Sequence, residues 1–126
     1  MDIVLLDGLP FVKVSFSNND KVIEIDRVLI DTGSYSTIIS TDIMFELGME
    51  PLIDDPVRQI RGVGGAEFVI TKTLSKLSID GRDLVNVPIE VGTLDYGFKL
   101  NAIIGIDILM QAGCTIDLPT MQLKAA

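Results

Sequence analysis

The stretch Val28–Ser34, Val-Leu-Ile-Asp-Thr-Gly-Ser, places a carboxylate directly after three apolar residues. Three such residues predict a strand that runs into a core, where an unpaired carboxylate is strongly unfavourable. Thr32 and Ser34 bring hydroxyl groups, and Gly33 permits a tight turn or a close approach. Two interpretations stay open from this stretch. Asp31 is either a catalytic acid in a hydrogen-bonded loop or part of an ordinary turn, since Asp, Thr, Gly and Ser are all common turn residues.

The length and composition predict one domain over residues 1–126, large enough for a core without disulfides. The hydrophobic content of 48%, rich in Ile, Val and Leu, favours β structure. The single Cys114 excludes an internal disulfide and fits a reducing compartment. Because the sequence shows neither an apolar run long enough to span a membrane nor a basic signal-peptide start, we expect a cytoplasmic protein without a membrane segment.

The charged and titratable residues exclude several classes of function. A net charge of −8 argues against a nucleic-acid partner, because phosphates would repel the chain. The sequence contains no histidine, which excludes Ser-His and Cys-His catalytic pairs and histidine-ligated zinc. One cysteine cannot form a thiolate cluster, so we expect neither a metal site nor a cofactor. The chemistry that remains near neutral pH is mostly that of carboxylates.

Alternating apolar residues predict strands over Phe11–Ser17 and Lys21–Ile30, a hairpin that delivers Asp31. Ser40 or Thr41 is a suitable cap for a helix over residues 42–47. Further strands are predicted over Val57–Arg61, Ala66–Thr73, Leu74–Asp80, Leu84–Val91, Leu100–Ile104, Cys114–Leu118 and Met121–Leu123, with a second short helix over Asp107–Ala112. The pattern is typical of an all-β domain, closed or sandwich-like, with two short helices.

Two of these segments carry more detailed predictions. In Leu84–Val91, strict alternation places Leu84 on one face and Val85 and Val87 on the other. The run Gly62-Val63-Gly64-Gly65 invites comparison with a phosphate-binding loop, but no Lys-Ser/Thr follows and the next residues favour a strand. We therefore predict a glycine-rich hairpin tip.

Three features, in this order, resemble the retropepsin-like aspartic proteases, the single-lobe family that includes the retroviral proteases. They are the apolar run into Asp31–Ser34, the glycine tip Arg61–Ala66, and Ile103-Ile104-Gly105 followed by a short helix. The closing segments Ile104–Leu109 and Cys114–Leu118 look like the cellular, bacterial and DNA-damage-inducible-type members. The resemblance spans nearly the whole chain and implies an all-β, single-lobe acid-protease closed barrel with one or two short helices.

Aspartic proteases hydrolyse amides with two carboxylates that share one proton. One carboxylate takes a proton from the attacking water, and the other donates to the carbonyl oxygen. The sequence holds one Asp-Thr-Gly, and neither a second copy nor an Asp-Ser-Gly. The resemblance therefore implies a homodimeric aspartic endopeptidase that takes one Asp31 from each subunit and cleaves extended segments of a peptide or protein substrate.

The resemblance also implies roles for individual residues. Asp31 is the catalytic acid or base, Thr32 reaches across the two-fold axis, and Gly33 allows close approach of substrate. Ser34 donates a hydrogen bond to the outer oxygen of Asp31. The flap that covers the substrate consists of Gly62, Val63, Gly64, Gly65 and Ala66, and the residues that pack beneath the catalytic loop are Ile103, Ile104 and Gly105.

The sequence departs from the retroviral pattern at the dimer contact. Retroviral members usually have an Asp shortly after the catalytic triplet and an Arg after the late glycine. Those places are taken here by Tyr35 or Ser36 and by Ile106. Asp107 could pair with an arginine instead, with Arg61 or Arg82 as candidates, or act as an acid at a helix start. Whether the segments Asp2–Leu6 and Met121–Leu123 interleave between subunits stays open.

Two other functions are compatible with the sequence. The first is a catalytically inactive dimerisation or peptide-binding module of the same fold. The intact Asp31–Ser34 run argues against it, because an inactive site need not keep the acid. The second is an unrelated β-barrel that binds an apolar ligand oriented by Asp31, which would not require a dimer.

Overall fold

The computed structural model describes residues 1–62 and 65–126. The described strands are β1 (Val4–Leu6), β2 (Leu9–Asn18), β3 (Lys21–Ile30), β4 (Ile38–Ser40), β5 (Val57–Gly62), β6 (Gly65–Ile79), β7 (Arg82–Gly92), β8 (Ala102–Ile104), β9 (Thr115–Asp117) and β10 (Gln122–Lys124). The helices are α1 (Thr41–Glu46) and α2 (Ile106–Gln111). Among the described residues, no helix is both long and apolar enough to cross a membrane.

Eight of the described strands form one sheet that closes on itself. Their order is β1-β2-β3-β8-β4-β7-β6-β5, and a further pairing of β2 with β6 joins the two sides. The strands β2, β3, β8, β4, β7 and β6 therefore make a closed ring, while β1 and β5 lie at the two ends of the order. This arrangement confirms the predicted all-β barrel with two short helices.

The strand registers bring distant parts of the chain to Asp31. In the predicted hairpin, Phe11 of β2 lies opposite Leu29 of β3. On its other side β3 pairs in parallel with β8, so that Ile30 lies opposite Ile104. The backbone N–H of Asp31 extends this ladder by donating to the Ile104 carbonyl oxygen at 3.0 Å. The ends of β3 and β8 therefore lie side by side, at the same end of the ring.

The interior of the ring is filled by aliphatic side chains and Phe16, which is fully buried. Burial of a side chain of this size contributes about 1.5–3 kcal/mol. A second, smaller cluster consists of Phe11, Ile38, Leu94, Leu100 and Ile103. Phe11 and Ile103 belong to strands that flank the end of β3, so this second cluster packs near Asp31.

Both predicted helices are present, each displaced by one residue towards the amino terminus from its predicted bounds. The Ser40 hydroxyl accepts a hydrogen bond from the Ile43 N–H at 3.2 Å, which caps α1. Gly48, with φ of +74°, follows the helix in the left-handed conformation that favours glycine. Asp107 lies in the first turn of α2, where its charge is favourable towards the helix dipole.

Two details differ from the sequence prediction. The separate strands predicted over Ala66–Thr73 and Leu74–Asp80 are one continuous strand, β6. In β7, Leu84 is buried and Val85 is 65% exposed, although Val87 is buried as predicted. Asn86 has a positive φ of 52°, which interrupts the alternation. Leu84 and Val87, on either side of this interruption, are therefore both buried, although strict alternation would place them on opposite faces.

Candidate active site

Asp31 lies just beyond the end of β3, in a short loop. Its Oδ1 accepts a hydrogen bond from the Gly33 N–H at 2.9 Å, and its carbonyl oxygen accepts one from the Ser34 N–H at 3.1 Å. Asp31 is only half-buried, and Thr32 and Gly33 are exposed. The carboxylate is thus held at the surface of a single chain, and not within the core as the preceding apolar residues suggest.

The supporting residues of this loop have different contacts from those expected. A Cβ on Gly33 would lie 3.3 Å from Asp31 Oδ1, which is tight, so glycine keeps room beside the carboxylate. The Ser34 hydroxyl donates to the Ser36 carbonyl oxygen at 2.8 Å, whereas the resemblance implies a bond to Asp31. Ser34 therefore stabilises the loop backbone in the single chain.

Gly105 supports the loop from beneath by backbone contact. A Cβ at this position would lie 2.6 Å from the Ser36 carbonyl oxygen and 2.7 Å from that of Ser34, distances that real Cβ atoms do not tolerate. The next residue, Ile106, donates its N–H to the Ser34 carbonyl oxygen at 2.8 Å. Ile103 and Ile104 are buried just before this contact. Only glycine lets the chain pass this close.

A hydrogen-bonded pair that the sequence did not indicate, Thr37 with Asp107, connects this segment to β4 and α2. The Thr37 hydroxyl donates to Asp107 Oδ1 at 2.8 Å and accepts from the Gly105 N–H at 3.1 Å. The Thr37 N–H donates to Asp107 Oδ2 at 3.2 Å, and the Ile108 N–H donates to Oδ1 at 2.8 Å. Thr37 is fully buried. Its partner is 70 residues away in sequence, so no local pattern could have indicated the contact.

Asp107 lies in the first turn of α2, which agrees with the helix-start role among its two predicted roles. The arginine role has no support among the contacts described, because Arg82 donates to the Ala126 carbonyl oxygen at 2.7 Å. The side chain of Arg61, the other candidate, lies outside what the structure describes. Asp107 therefore combines a helix-start position with the hydrogen bonds to Thr37.

A buried acid, Glu90, connects β5 to the wall of the ring. Glu90 of β7 is 7% exposed, and its Oε1 pairs with Arg58 Nη2 at 2.7 Å. Its Oε2 accepts from the Thr71 hydroxyl at 2.9 Å. The Arg58 guanidinium also lies 5.8 Å from the ring centroid of Tyr35, in the loop that follows Ser34. These contacts fix the base of the β5–β6 hairpin relative to the Asp31 loop.

Tyr96, in the loop between β7 and β8, contacts β6. Its hydroxyl donates to Glu67 Oε1 of β6 at a long 3.5 Å. Partial burial raises the pKa of Tyr96, with smaller contributions from the negative charges of Glu67 and Asp31.

The predicted flap coincides with the end of the β5–β6 hairpin. Gly62 lies opposite Gly65, and Ala66, which is exposed, lies opposite Arg61. Val63 and Gly64, the remaining predicted flap residues, lie outside the described residues.

The site of one chain provides a single supported carboxylate. In the described part of the chain, no group of three or more Cys, Asp or Glu residues is arranged to hold a metal ion. Asp31 can accept a proton from water or hold one, but one carboxylate cannot do both at the same time. One chain therefore supplies one of these two roles at Asp31.

Comparisons with known proteins agree with this geometry. A model of the gag-polyprotein putative aspartyl protease family matches residues 14–111. The fold is similar to the crystal structure of a retropepsin-like aspartic protease from Rickettsia conorii, with a TM-score of 0.68 and 21% identity over 92% of this chain and 82% of that one. Among curated proteins, none matches the sequence significantly.

Proposed function

We propose, from the premise that the chain belongs to the gag-polyprotein aspartyl protease family, that it is a homodimeric endopeptidase. Residues 1–126 would act as one protease domain, and each subunit would contribute one Asp31. The observation that carries the proposal is the position of this carboxylate. The loop is supported from beneath by Gly105, while Asp31 itself is only half-buried and Thr32 is exposed, so a second copy can approach it.

In the dimer, the two Asp31 side chains would share one proton, because two carboxylates within hydrogen-bonding distance of each other cannot both ionise. The unprotonated one takes a proton from the attacking water, and the protonated one donates to the carbonyl oxygen of the scissile bond. The Gly33 N–H, which already donates to Oδ1, would hold this oxygen in place. Thr32 of each subunit would contact the facing loop, and Gly33 would leave room for the substrate.

The substrate would bind as an extended segment between the Asp31 loop and the β5–β6 hairpin. Extended peptides pair with strand edges through main-chain hydrogen bonds. The flap residues 62–66 would complete that pairing and exclude water during the reaction. Ile103, Ile104 and Gly105 hold the loop in place from below.

The direct test is Asp31→Asn, assayed for cleavage of an unfolded protein substrate. We expect turnover to fall to background, with circular dichroism and dimerisation largely unchanged, because the amide fits the same space but cannot act as a base. Thr120→Ala, in the exposed turn before β10, is a matched control that keeps activity. Cleavage by the Asp31→Asn variant at the unaltered rate would contradict the mechanism.

A second measurement separates the enzyme from an inactive module of the same fold. A peptide mimic with a central hydroxyl in place of the scissile amide should raise the melting temperature of the protein. Peptides that bind without cleavage, combined with no response to this mimic, would favour the inactive module.

A further inference from the structure

The outer part of the β5–β6 hairpin extends beyond the ring, next to the loop that joins β7 to β8. The described ladder between β6 and β7 ends at Ile70 and Val91, whereas β6 itself begins five residues earlier, at Gly65. The chain leaves β7 at Gly92 and continues as the β7–β8 loop, residues 93–101. Support for the outer part of β6 on this side can therefore come from the loop.

Glu67 provides a polar contact between the hairpin and this loop. Its Oε1 accepts a hydrogen bond from the Tyr96 hydroxyl at 3.5 Å. The same oxygen lies over the end of β7, since a Cβ on Gly92 would be only 3.4 Å away. Val69, two residues along and hence on the same side of β6, is buried and would be 3.2 Å from that Cβ. This side of the outer hairpin therefore faces the end of the ring and the β7–β8 loop.

The other strand of the hairpin reaches the same region through apolar contacts. Ile60 of β5 lies opposite Glu67. It packs against the smaller apolar cluster, which contains Leu94 of the β7–β8 loop, and Leu29 of β3 packs against this cluster as well. One cross-strand pair of the hairpin is thus connected to the loop on one side and, through the cluster, to the strand that carries Asp31.

Leu94 has a backbone conformation that leucine rarely adopts. Its φ is +51°, in the left-handed region that glycine, asparagine and aspartate enter more easily. Such a conformation persists only where the surrounding packing fixes it, and Leu94 is 3% exposed. The loop passes through this residue two positions before Tyr96. Burial of Leu94 in the cluster therefore fixes the start of the segment that presents the phenol to Glu67.

From these observations we propose that Tyr96 is a positioning residue for peptide cleavage. Its hydroxyl holds Glu67, and with it the outer β5–β6 hairpin, at the height above the Asp31 loop that an extended substrate requires. The proposal rests on the proposed function and adds a residue that sets the distance between the hairpin and the carboxylate. The Arg58–Glu90 ion pair already fixes the base of this hairpin, so Tyr96 acts on the part beyond it.

The kinetic test compares Tyr96→Phe, which keeps the ring and removes only the hydroxyl, with the parent chain on one peptide substrate. We expect KM to rise at least about threefold and kcat to stay within about twofold, because the hairpin contacts the substrate before and during the reaction alike. Glu67→Ala should have the same effect, and the double variant should be no worse than either, since all three lose one bond. Glu67→Gln, whose amide oxygen still accepts, should restore most of the affinity. Asp95→Asn, an exposed neighbour in the loop, is the control that keeps the KM of the parent chain.

Two measurements follow the contact itself and need no cleavage. Amide hydrogen exchange in residues 65–70 should become faster in Tyr96→Phe, while the melting temperature changes little, because the bond is long and partly exposed. The second is an absorbance titration of Tyr96 in a Tyr35→Phe background, which removes the other of the two tyrosines. Since the charge of Glu67 contributes to raising the pKa of Tyr96, Glu67→Gln should lower this pKa.

The outcomes separate the positioning role from the mechanism. If the parent chain cleaves and Tyr96→Phe leaves both KM and the exchange of residues 65–70 unaltered, Tyr96 has no positioning role and the proposed function stands. Effects of Tyr96→Phe and Glu67→Ala that add in the double variant would show that the two residues do not act through one bond, which also overturns the proposal. If the parent chain cleaves no peptide while Tyr96→Phe still loosens the hairpin, the contact stands and the proposed function is wrong.

Discussion

Thr37→Val tests whether the buried hydroxyl holds the Asp31 loop to α2. The substitution keeps the shape of the side chain but removes a hydrogen bond to the Asp107 carboxylate. It also leaves the buried Gly105 N–H without its acceptor. A bond to a charged group contributes about 1.5–3 kcal/mol, and an unsatisfied buried N–H costs about 1–3 kcal/mol. Since these terms overlap, we expect the free energy of unfolding to fall by about 3 kcal/mol.

Thr37→Ser is the matched comparison, because it keeps the hydroxyl and loses one methyl group, at a cost of about 1 kcal/mol. Urea denaturation at one fixed protein concentration measures the difference, since dimerisation adds to the apparent stability. With a slope of about 2 kcal/mol per molar urea, the midpoint should fall by about 1.5 M for Val and about 0.5 M for Ser. The Thr41 hydroxyl makes only a 3.4 Å contact with the Gly92 carbonyl oxygen, so Thr41→Val should lower the urea midpoint less than Thr37→Val does.

The reasoning is refuted if Thr37→Val and Thr37→Ser have midpoints within about 0.3 M of each other at equal slopes. That result would mean that water or a small movement satisfies Gly105 and Asp107 without the hydroxyl. The pair would then be a packing contact with no role in holding the loop.

Three further substitutions test other parts of the structure. Gly105→Ala should destabilise the fold by about 1–3 kcal/mol and reduce cleavage, since its Cβ must displace the loop backbone; an unaltered melting temperature would contradict the close contact. Arg58→Met should lower the free energy of unfolding by about 2 kcal/mol, because it leaves Glu90 buried without its cationic partner. The double variant with Glu90→Gln should lose less stability than Arg58→Met alone, which a double-mutant cycle in urea would measure. The Lys72 ammonium lowers the pKa of Asp55, so Asp55 stabilises the fold above an ordinary aspartate pKa of about 3.9 and loses this effect as the pH falls below it. Asp55→Asn should therefore lower the melting temperature at pH 7 but hardly at pH 2.5, and an equal loss at both would contradict the ion pair.

The sequence predicts those features of the fold that depend on local patterns. The β2–β3 hairpin follows from alternating apolar residues, and α1 from the Ser40 cap and Gly48. The position of the Asp31 loop at the end of a strand was predictable for the same reason. Its half-exposed state was not, because the apolar residues before it indicate burial and only the ring geometry shows where the core ends.

Other features depend on contacts between distant residues. The bond between Thr37 and Asp107 requires β4 and α2 to meet in space. The exposed Val85 follows from the positive φ of Asn86, and nothing in the alternation indicates where such an interruption falls. The ion pair of Arg58 with Glu90 likewise joins two strands that are not neighbours in the sheet.

The single long strand β6 has a mechanical consequence. From Ile70 to Ile79 it pairs with β7 as part of the closed ring, whereas the described residues 66–69 pair with β5. Bending near Ile70 would therefore tilt the outer hairpin as a unit and leave every ladder of the ring intact. The Arg58–Glu90 ion pair lies beside this bending point and would limit how far the hairpin swings. One uninterrupted strand thus belongs both to the wall of the ring and to the hairpin outside it.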